Sequence, residues 1–203
     1  MKKRQIALRE ILYRNYEKGE RFLNQKSISE DCNLSLGTVN SVIKKLENFG
    51  AIEKKPLGFR LRAQKKVLLY WAATRDLQKD IIYKAYSPTL PKSIESKMPK
   101  DTIFTAYSGY KNKLGNPPSD YSKIYVYGDP KKISQKFKQE KQENNIYVLE
   151  LDERLEEITN KNSAPLVQIY ADLWQLPPPA SRFLREIKKE LKPKRTGIGI
   201  MNK

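Results

Sequence analysis

A helix-length amphipathic run, a glycine and an alternating hairpin follow one another in residues 33–62, and they constrain the fold more than any other feature. In "NLSLGTVNSVIKKLENFGAIEKK" the apolar side chains recur at helical spacing, at Val39, Val42, Ile43 and Leu46. Ser35 precedes this run in the position of an N-terminal cap. We therefore expect a helix from Ser35 to about Asn48 that ends at Gly50.

The residues after Gly50 predict a β-hairpin. "AIEKKPLGFRLR" alternates apolar and charged side chains on both sides of a Pro56–Leu57–Gly58 turn. Its outward positions carry cations, at Lys54, Lys55, Arg60 and Arg62. Upstream, the spacing of apolar residues predicts one helix over 4–16 and a short helical piece around 27–32.

The charge of the chain indicates a polyanionic partner. There are 40 Lys and Arg against 23 Asp and Glu, which gives a formal net charge of +17. Such a field attracts nucleic acid, although a soluble protein with a merely lysine-rich composition would carry the same charge. There is no histidine and a single cysteine, Cys32, so a disulfide framework, a Cys/His zinc site and a histidine-based catalytic triad are excluded. We expect no cofactor and no metal site.

The polar face of the helix over 35–48 has the residue order of a recognition helix. Small or hydrogen-bonding side chains come first and cations follow, at Gly37, Thr38, Asn40, Ser41, Lys44 and Lys45. The first turns of such a helix enter the major groove, and the later residues lie near phosphates. The predicted DNA-binding residues are Ser35, Gly37, Thr38, Asn40, Ser41, Lys44, Lys45, Lys54, Lys55 and Arg60. Among them, we expect Thr38, Asn40 and Ser41 to read bases, and Lys44, Lys54, Lys55 and Arg60 to contact phosphates.

Helix, short helix, turn, helix and basic hairpin together resemble the winged helix-turn-helix of transcription regulators. The resemblance covers residues 1–62, and "TVNSVIKKLENFGAIEKK" is its most specific part. It implies that the third helix enters the major groove of duplex DNA and that the hairpin tip lies near the backbone or the minor groove. A winged helix used only for protein contacts is the alternative.

The rest of the chain predicts a small α/β domain. We expect a linking helix over 65–86 that buries Leu68, Leu69, Trp71 and Ala72, and then a loop over 87–100. "KIYVYGD" and "NIYVLELD" predict strands, a lysine-rich helix is expected to begin near Pro130, and a helix broken at 177–179 follows. The predicted organisation is a DNA-binding domain over 1–65, an α/β domain over 66–191 and a basic flexible tail over 192–203.

Three segments of this second domain carry a further resemblance. "FTAYSGY", "IYVYGD" and "APLVQIYADLWQLP" resemble the AbiEi-type antitoxin and related archaeal regulators, in which a winged helix precedes a nucleotidyltransferase-like domain. The implied fold class is α+β: an N-terminal winged helix-turn-helix and then a small α/β domain with a degenerate nucleotidyltransferase fold. The resemblance implies that this domain is a scaffold or a surface for a homodimer or a protein partner.

A metal-dependent nucleotidyltransferase that positions nucleic acid with its winged helix is the alternative from another functional class. Nucleotidyl transfer needs grouped carboxylates for Mg²⁺ after a Gly-Ser turn. The candidates are Ser108–Gly109 for the turn, Asp129, and the pair Glu150 and Asp152, which we expect on one face of a strand. Because Gly109 follows Ser108 and Asp129 stands alone, we interpret the chain as a non-enzyme.

No apolar run is long enough to span a bilayer, and the first residues contain no signal-peptide core. We therefore expect a cytoplasmic protein without a membrane partner. The leading hypothesis is a sequence-specific, duplex-DNA-binding transcription regulator, with antitoxin-like character as a secondary feature. A structural chromatin or RNA-associated protein is a third alternative.

Overall fold

The structure, a computed structural model, describes residues 1–140 and 142–192 and combines α-helices with two β-sheets. Apart from Lys192, the predicted basic tail over 192–203 lies outside the described residues. The first third of the chain contains α1 (Lys3–Tyr16), β1 (Phe22–Leu23), α2 (Gln25–Asp31), α3 (Leu36–Asn48), β2 (Ile52–Lys55) and β3 (Gly58–Leu61). The three strands form an antiparallel sheet with β3 in the middle. The predicted helices and the hairpin are confirmed.

Side-chain caps fix the first residues of α2 and α3. Ser35 is the N-cap of α3, and its Oγ accepts a hydrogen bond from the backbone N–H of Thr38 at 3.2 Å. The Oδ1 of Asn24 accepts from the N–H groups of Lys26 and Ser27 at the start of α2. Each cap satisfies N–H groups that have no partner within the helix, so the helix starts follow directly from the sequence.

The turn between β2 and β3 contains a residue with a positive φ and a glycine that lies close to the backbone of β1. Leu57 lies at a φ of 68°, in the left-handed region, and its side chain is 87 % exposed. The next residue must be glycine for a different reason: a Cβ at Gly58 would lie 2.3 Å from the carbonyl oxygen of Leu23. Gly58 therefore allows β3 to lie against β1.

The linking helix is shorter than the sequence predicts. α4 spans Gln64–Thr74, and residues 81–85 form the strand β4 (Ile81–Ala85) instead of a continuing helix. β4 pairs antiparallel with a strand over 146–149, and this partner satisfies its backbone groups. Within α4 the burial of Leu68, Trp71 and Ala72 is confirmed, but Leu69 is 43 % exposed because it lies on the outer side.

The second half adds α5 (Pro91–Lys97), β5 (Ile103–Thr105), α6 (Ala106–Leu114), β6 (Ile124–Tyr127), α7 (Pro130–Ser134), β7 (Ile146–Leu149), α8 (Glu153–Ile158), α9 (Leu166–Trp174) and α10 (Ala180–Glu190). Four strands form a mixed sheet in the order β4, β7, β6, β5, in which only β6 and β7 are parallel. The two predicted strands and the broken C-terminal helix are confirmed.

Two further expectations for this half are wrong. The predicted loop over 87–100 contains α5, which begins with Pro91 in its first turn and buries Ile94. The lysine-rich helix that begins at Pro130 has only five residues. Contact with the sheet accounts for α5, since Ile94 is buried in the same apolar cluster against the sheet as Ile133 of α7.

One apolar core runs through both halves of the chain. α1 packs against α3, α4 and α9, and α4 also packs against α9. On β6, Tyr125 and Tyr127 belong to this core, whereas Ile124 and Val126 belong to a smaller cluster on the opposite face of the sheet. The predicted domain boundary near residue 65 therefore lies within a continuous core, and α1 is held by elements from both sides of it.

Candidate nucleic-acid interface

The exposed surface of α3 is divided into two rows of side chains. Gly37, Asn40 and Lys44 are exposed and lie three and then four positions apart, so they form one row along the helix. A Cβ at Gly37 would meet nothing within 4 Å, which leaves the backbone of the first turn open. The core residues Val39, Val42, Ile43 and Leu46 hold the opposite face against α1 and α2.

The second row faces a cleft between α3, the first turns of α1 and the end of α4. Thr38, Ser41 and Lys45 line one wall of this cleft, which has a volume of about 600 Å³. Lys2, Lys3, Arg4, Gln5 and Leu8 line the wall that α1 provides, and Tyr70 and Thr74 of α4 contribute to the rest. The structure thus separates the predicted residues Thr38, Ser41 and Lys45 from Gly37, Asn40 and Lys44. Ser35 lies at the end of the helix, where its Oγ is 2.9 Å from the Oγ1 of Thr38.

The cations of the hairpin are exposed, but several of them have acidic partners. The Nζ of Lys54 lies 2.7 Å from Glu47, and Lys55 and Arg62 both form ion pairs with Glu53. Hydrogen bonds from Lys55 and Arg62 lower the pKa of the Glu53 carboxyl. These pairs neutralise part of the positive charge that the sequence predicts for the hairpin.

Other cations of the predicted interface lack such partners. Lys44, Lys45 and Arg60 form no ion pair with the part of the chain that the structure describes. A second, smaller cleft of about 290 Å³ lies beside the hairpin and is lined by Lys54, Lys55 and Leu57, together with residues of α2 and Leu36 of α3. α3 is therefore flanked by one cleft at α1 and one at the hairpin.

Buried ion pairs position the helices that support α3. Arg14 of α1 contacts Asp31 of α2 and donates from Nε to Glu10 at 2.7 Å. Arg154 of α8 donates two hydrogen bonds to the same Glu10. Burial alone would raise the pKa of Glu10, but hydrogen bonds from Arg154 and Arg14 lower it below its usual value. α8 therefore helps to fix α1 and α2, on which α3 rests.

The carboxylates considered for metal binding have other roles. β7 ends at Leu149, so Glu150 and Asp152 do not share a strand face as predicted. Asp152 caps α8 by accepting from the N–H of Leu155 at 3.0 Å, and it pairs with the buried Arg9. Within residues 1–140 and 142–192 no group of three or more His, Cys, Asp or Glu side chains could hold a metal ion.

The two other candidates for transfer chemistry also have contacts within the fold. Asp129 is the N-cap of α7 and accepts from the N–H of Lys131. Ser108 and Gly109 lie inside α6, where a Cβ at Gly109 would be 2.8 Å from the carbonyl oxygen of Phe104. This glycine therefore permits close packing of α6 on β5.

A buried polar cluster in the second half was not predicted from the sequence. Asp172 of α9 accepts hydrogen bonds from Arg75, Thr105, Tyr127 and Gln168 at 2.7–3.0 Å. Asp172 is fully buried, and each of its two carboxylate oxygens accepts from two of these donors. Burial and the nearby Asp172 carboxylate raise the pKa of the Tyr127 hydroxyl well above its ordinary value. The cluster joins α4, the sheet and α9. Its signal in the sequence was Asp172, an acid in the middle of an otherwise apolar helix.

Comparison of the chain with protein-family models, with curated proteins and with solved structures gave no match in any of the three. In the described residues no helix combines the length and the apolar character needed to cross a membrane.

Sequence reasoning missed one wall of the cleft at α1. Lys2, Lys3 and Arg4 are consecutive in the sequence and exposed in the structure. The run "KKR" was a visible signal, but its position beside α3 depends on how α1 crosses α3.

Proposed function

We propose that this protein is a sequence-specific, duplex-DNA-binding transcription regulator and that residues 1–62 form a winged helix-turn-helix. The order α1, β1, α2, α3, β2, β3 supports this proposal, as does the sheet in which the hairpin pairs with β1. In this arrangement α3 enters the major groove, and the hairpin lies along the neighbouring backbone.

One observation carries the proposal: the outer row of α3 presents Gly37, Asn40 and Lys44 to solvent, and the acid on the following turn, Glu47, is paired with Lys54. Glycine lets the first turn approach base edges closely. The amide of Asn40 is suited to pair with adenine through two hydrogen bonds, and Lys44 reaches phosphate one turn later. A helix whose outer row served only solubility would more often carry mixed acids and bases.

The second half supports α3 in this proposal and performs no chemistry. It contributes α8, whose Arg154 binds Glu10, and α9, which packs on α1. The likeness of this half to antitoxin regulators, its use as a surface for a homodimer or protein partner, and a cytoplasmic location stay predictions.

Selection of binding sites from a pool of random duplexes tests the proposal. We expect the full chain to enrich a defined sequence and to bind it well above the pool average. Enrichment of no sequence, with equal affinity for duplex DNA and RNA, would instead favour a structural nucleic-acid-associated protein. A parallel selection with Asn40→Ala should lose the preference at one or two base positions, which would connect the enriched sequence to α3.

A further inference from the structure

The cleft between α1, α3 and α4 concentrates cations without acids. Four of its lining side chains are basic, at Lys2, Lys3, Arg4 and Lys45, and no Asp or Glu lines it. Thr38 and Ser41 add hydroxyl groups to the lining, whereas the hydroxyl of Thr74 donates to the backbone carbonyl of Tyr70 at 2.8 Å. Ammonium, guanidinium and hydroxyl donors around one opening form a donor set suited to phosphate oxygens.

These cations differ from those of the hairpin in their partners. Lys54, Lys55 and Arg62 are paired with Glu47 or Glu53. The four basic side chains of the cleft form no ion pair within the described ranges 1–140 and 142–192. Asp76 lies close enough to Lys2 for its charge to contribute to a lowered Asp76 pKa, but that pKa is lowered chiefly by the hydrogen bond with Lys79. Like charges gathered without counter-charges repel one another, and a bound anion removes that repulsion.

The cleft also changes the interpretation of two predicted residues. Thr38 and Ser41 are only partly exposed, and they face α1 instead of the open side of α3. Side chains that line a cationic cleft contact the phosphates of a nucleic acid more readily than its base edges, because the cations attract phosphate. Asn40 and Lys44 belong to the outer row and do not line this cleft.

We propose that the cleft between α1, α3 and α4 binds phosphate through Lys3, Arg4 and Lys45, with Ser41 as a hydroxyl donor. The proposal rests on the proposed function, since the phosphate belongs to the backbone of the duplex whose major groove receives α3. A free phosphate ester has the same chemistry and is the second source that the test must distinguish. Thr38 and Ser41 then position the protein, and base readout falls to the outer row of α3.

The test compares a double variant with a control of equal charge. Lys3→Ala/Arg4→Ala removes two exposed cations from the cleft, and Lys92→Ala/Lys131→Ala removes two exposed cations from α5 and α7 in the second half. Affinity is measured for a selected duplex and for a random duplex over a series of salt concentrations. The cleft variant should bind both duplexes roughly tenfold more weakly and reduce the slope of log Kd against log salt by about two, since each phosphate contact contributes about 0.9.

The control variant should change the affinity for either duplex less than twofold. Ser41→Ala should weaken binding to the selected and random duplexes by equal factors, whereas a base contact would weaken only the selected one. All of these side chains are exposed or partly exposed, and unchanged thermal unfolding of each variant shows that its fold is retained.

The source of the phosphate is tested with adenosine 5′-monophosphate and isotope-labelled protein. If adenosine 5′-monophosphate shifts the Ser41 and Lys45 amide resonances of the wild type but not of the cleft variant, the cleft binds a free phosphate ester. That result would stand even if the protein bound no duplex and the proposed function failed. A cleft variant that equals the control on both duplexes, with no such shifts, overturns the cleft proposal while duplex binding by the wild type stands. Absence of both duplex binding and shifts in the wild type overturns both proposals.

Discussion

Arg154 on α8 donates two hydrogen bonds to Glu10 on α1, with N–O distances of 2.9 and 2.7 Å. The two residues are 144 positions apart, and the side chain of Glu10 is fully buried. Because Glu10 also accepts from Arg14, and Arg14 contacts α2, this one carboxylate joins both halves of the chain. The orientation of α3 therefore depends on residues far from it in the sequence.

Glu10→Gln should destabilise the protein, because the substitution leaves Arg14 and Arg154 beside a neutral side chain. Breaking a buried ion pair from one side typically costs about 3 kcal/mol in the free energy of unfolding. Urea denaturation at neutral pH measures this loss. Glu30→Gln is the matched control: Glu30 is exposed and pairs with Lys26 at 3.8 Å, so its loss should be under about 1 kcal/mol. Equal stability of Glu10→Gln and the wild type would contradict the role of Glu10.

The same carboxylate should make stability depend on pH. The pKa of Glu10 is lower in the folded protein than its usual value of 4.5. Its contribution is therefore fully present above that value and is lost as the pH falls through the folded-state pKa. In denaturation measured from neutral to acidic pH, Glu10→Gln should lose less stability on acidification than the wild type does. Parallel curves for the two proteins would show that Glu10 does not titrate in this way.

Asp152→Asn should act on stability and not on metal binding. Asp152 pairs with the buried Arg9, so the variant should lose about 3 kcal/mol, whereas Glu150→Gln should change little because that side chain is 60 % exposed. A metal that binds the folded state raises the unfolding temperature. Because we expect no metal site at these carboxylates, Mg²⁺ or Mn²⁺ should leave the unfolding temperature unchanged. A metal-dependent rise that disappears in both variants would support the nucleotidyltransferase alternative.

Gly37→Ala should separate stability from binding. Gly37 lies in the first turn of α3 with open space around it, so alanine should raise the free energy of unfolding by about 0.5–1 kcal/mol. The added methyl group lies in the outer row and should weaken duplex binding. Gly58→Ala provides the contrast, because its Cβ would overlap the carbonyl oxygen of Leu23 and should destabilise the hairpin. A Gly37→Ala protein that binds duplex DNA as well as the wild type would show that the first turn is not close to the DNA.

Local signals in the sequence predicted the elements whose structure depends on neighbouring residues. Ser35 as a cap and the spacing of Val39, Val42 and Ile43 identified α3, since helix capping and one apolar face are properties of a short segment. The sequence did not predict β4, because that strand exists only through pairing with β7, more than sixty residues later.

The candidate site also has features that the local sequence predicts and features that depend on distant residues. The composition of the polar face of α3 could be predicted, but its separation into an outer row and a cleft row could not. That separation depends on where Lys3 and Arg4 of α1 and Tyr70 of α4 lie beside Ser41. Likewise, Glu150 and Asp152 alternate in the sequence, but Arg9 from α1 gives Asp152 a different role.

The most direct test of the central claim is the affinity of Asn40→Ala for a selected duplex and for random duplexes, with Lys92→Ala as the control. Asn40 is exposed in the middle of the outer row of α3, so the alanine variant should keep its fold. We expect binding to the selected duplex to weaken by about 1–3 kcal/mol and binding to random duplexes to remain nearly unchanged. Equal losses on both kinds of duplex, or no loss on either, would contradict sequence-specific recognition through α3.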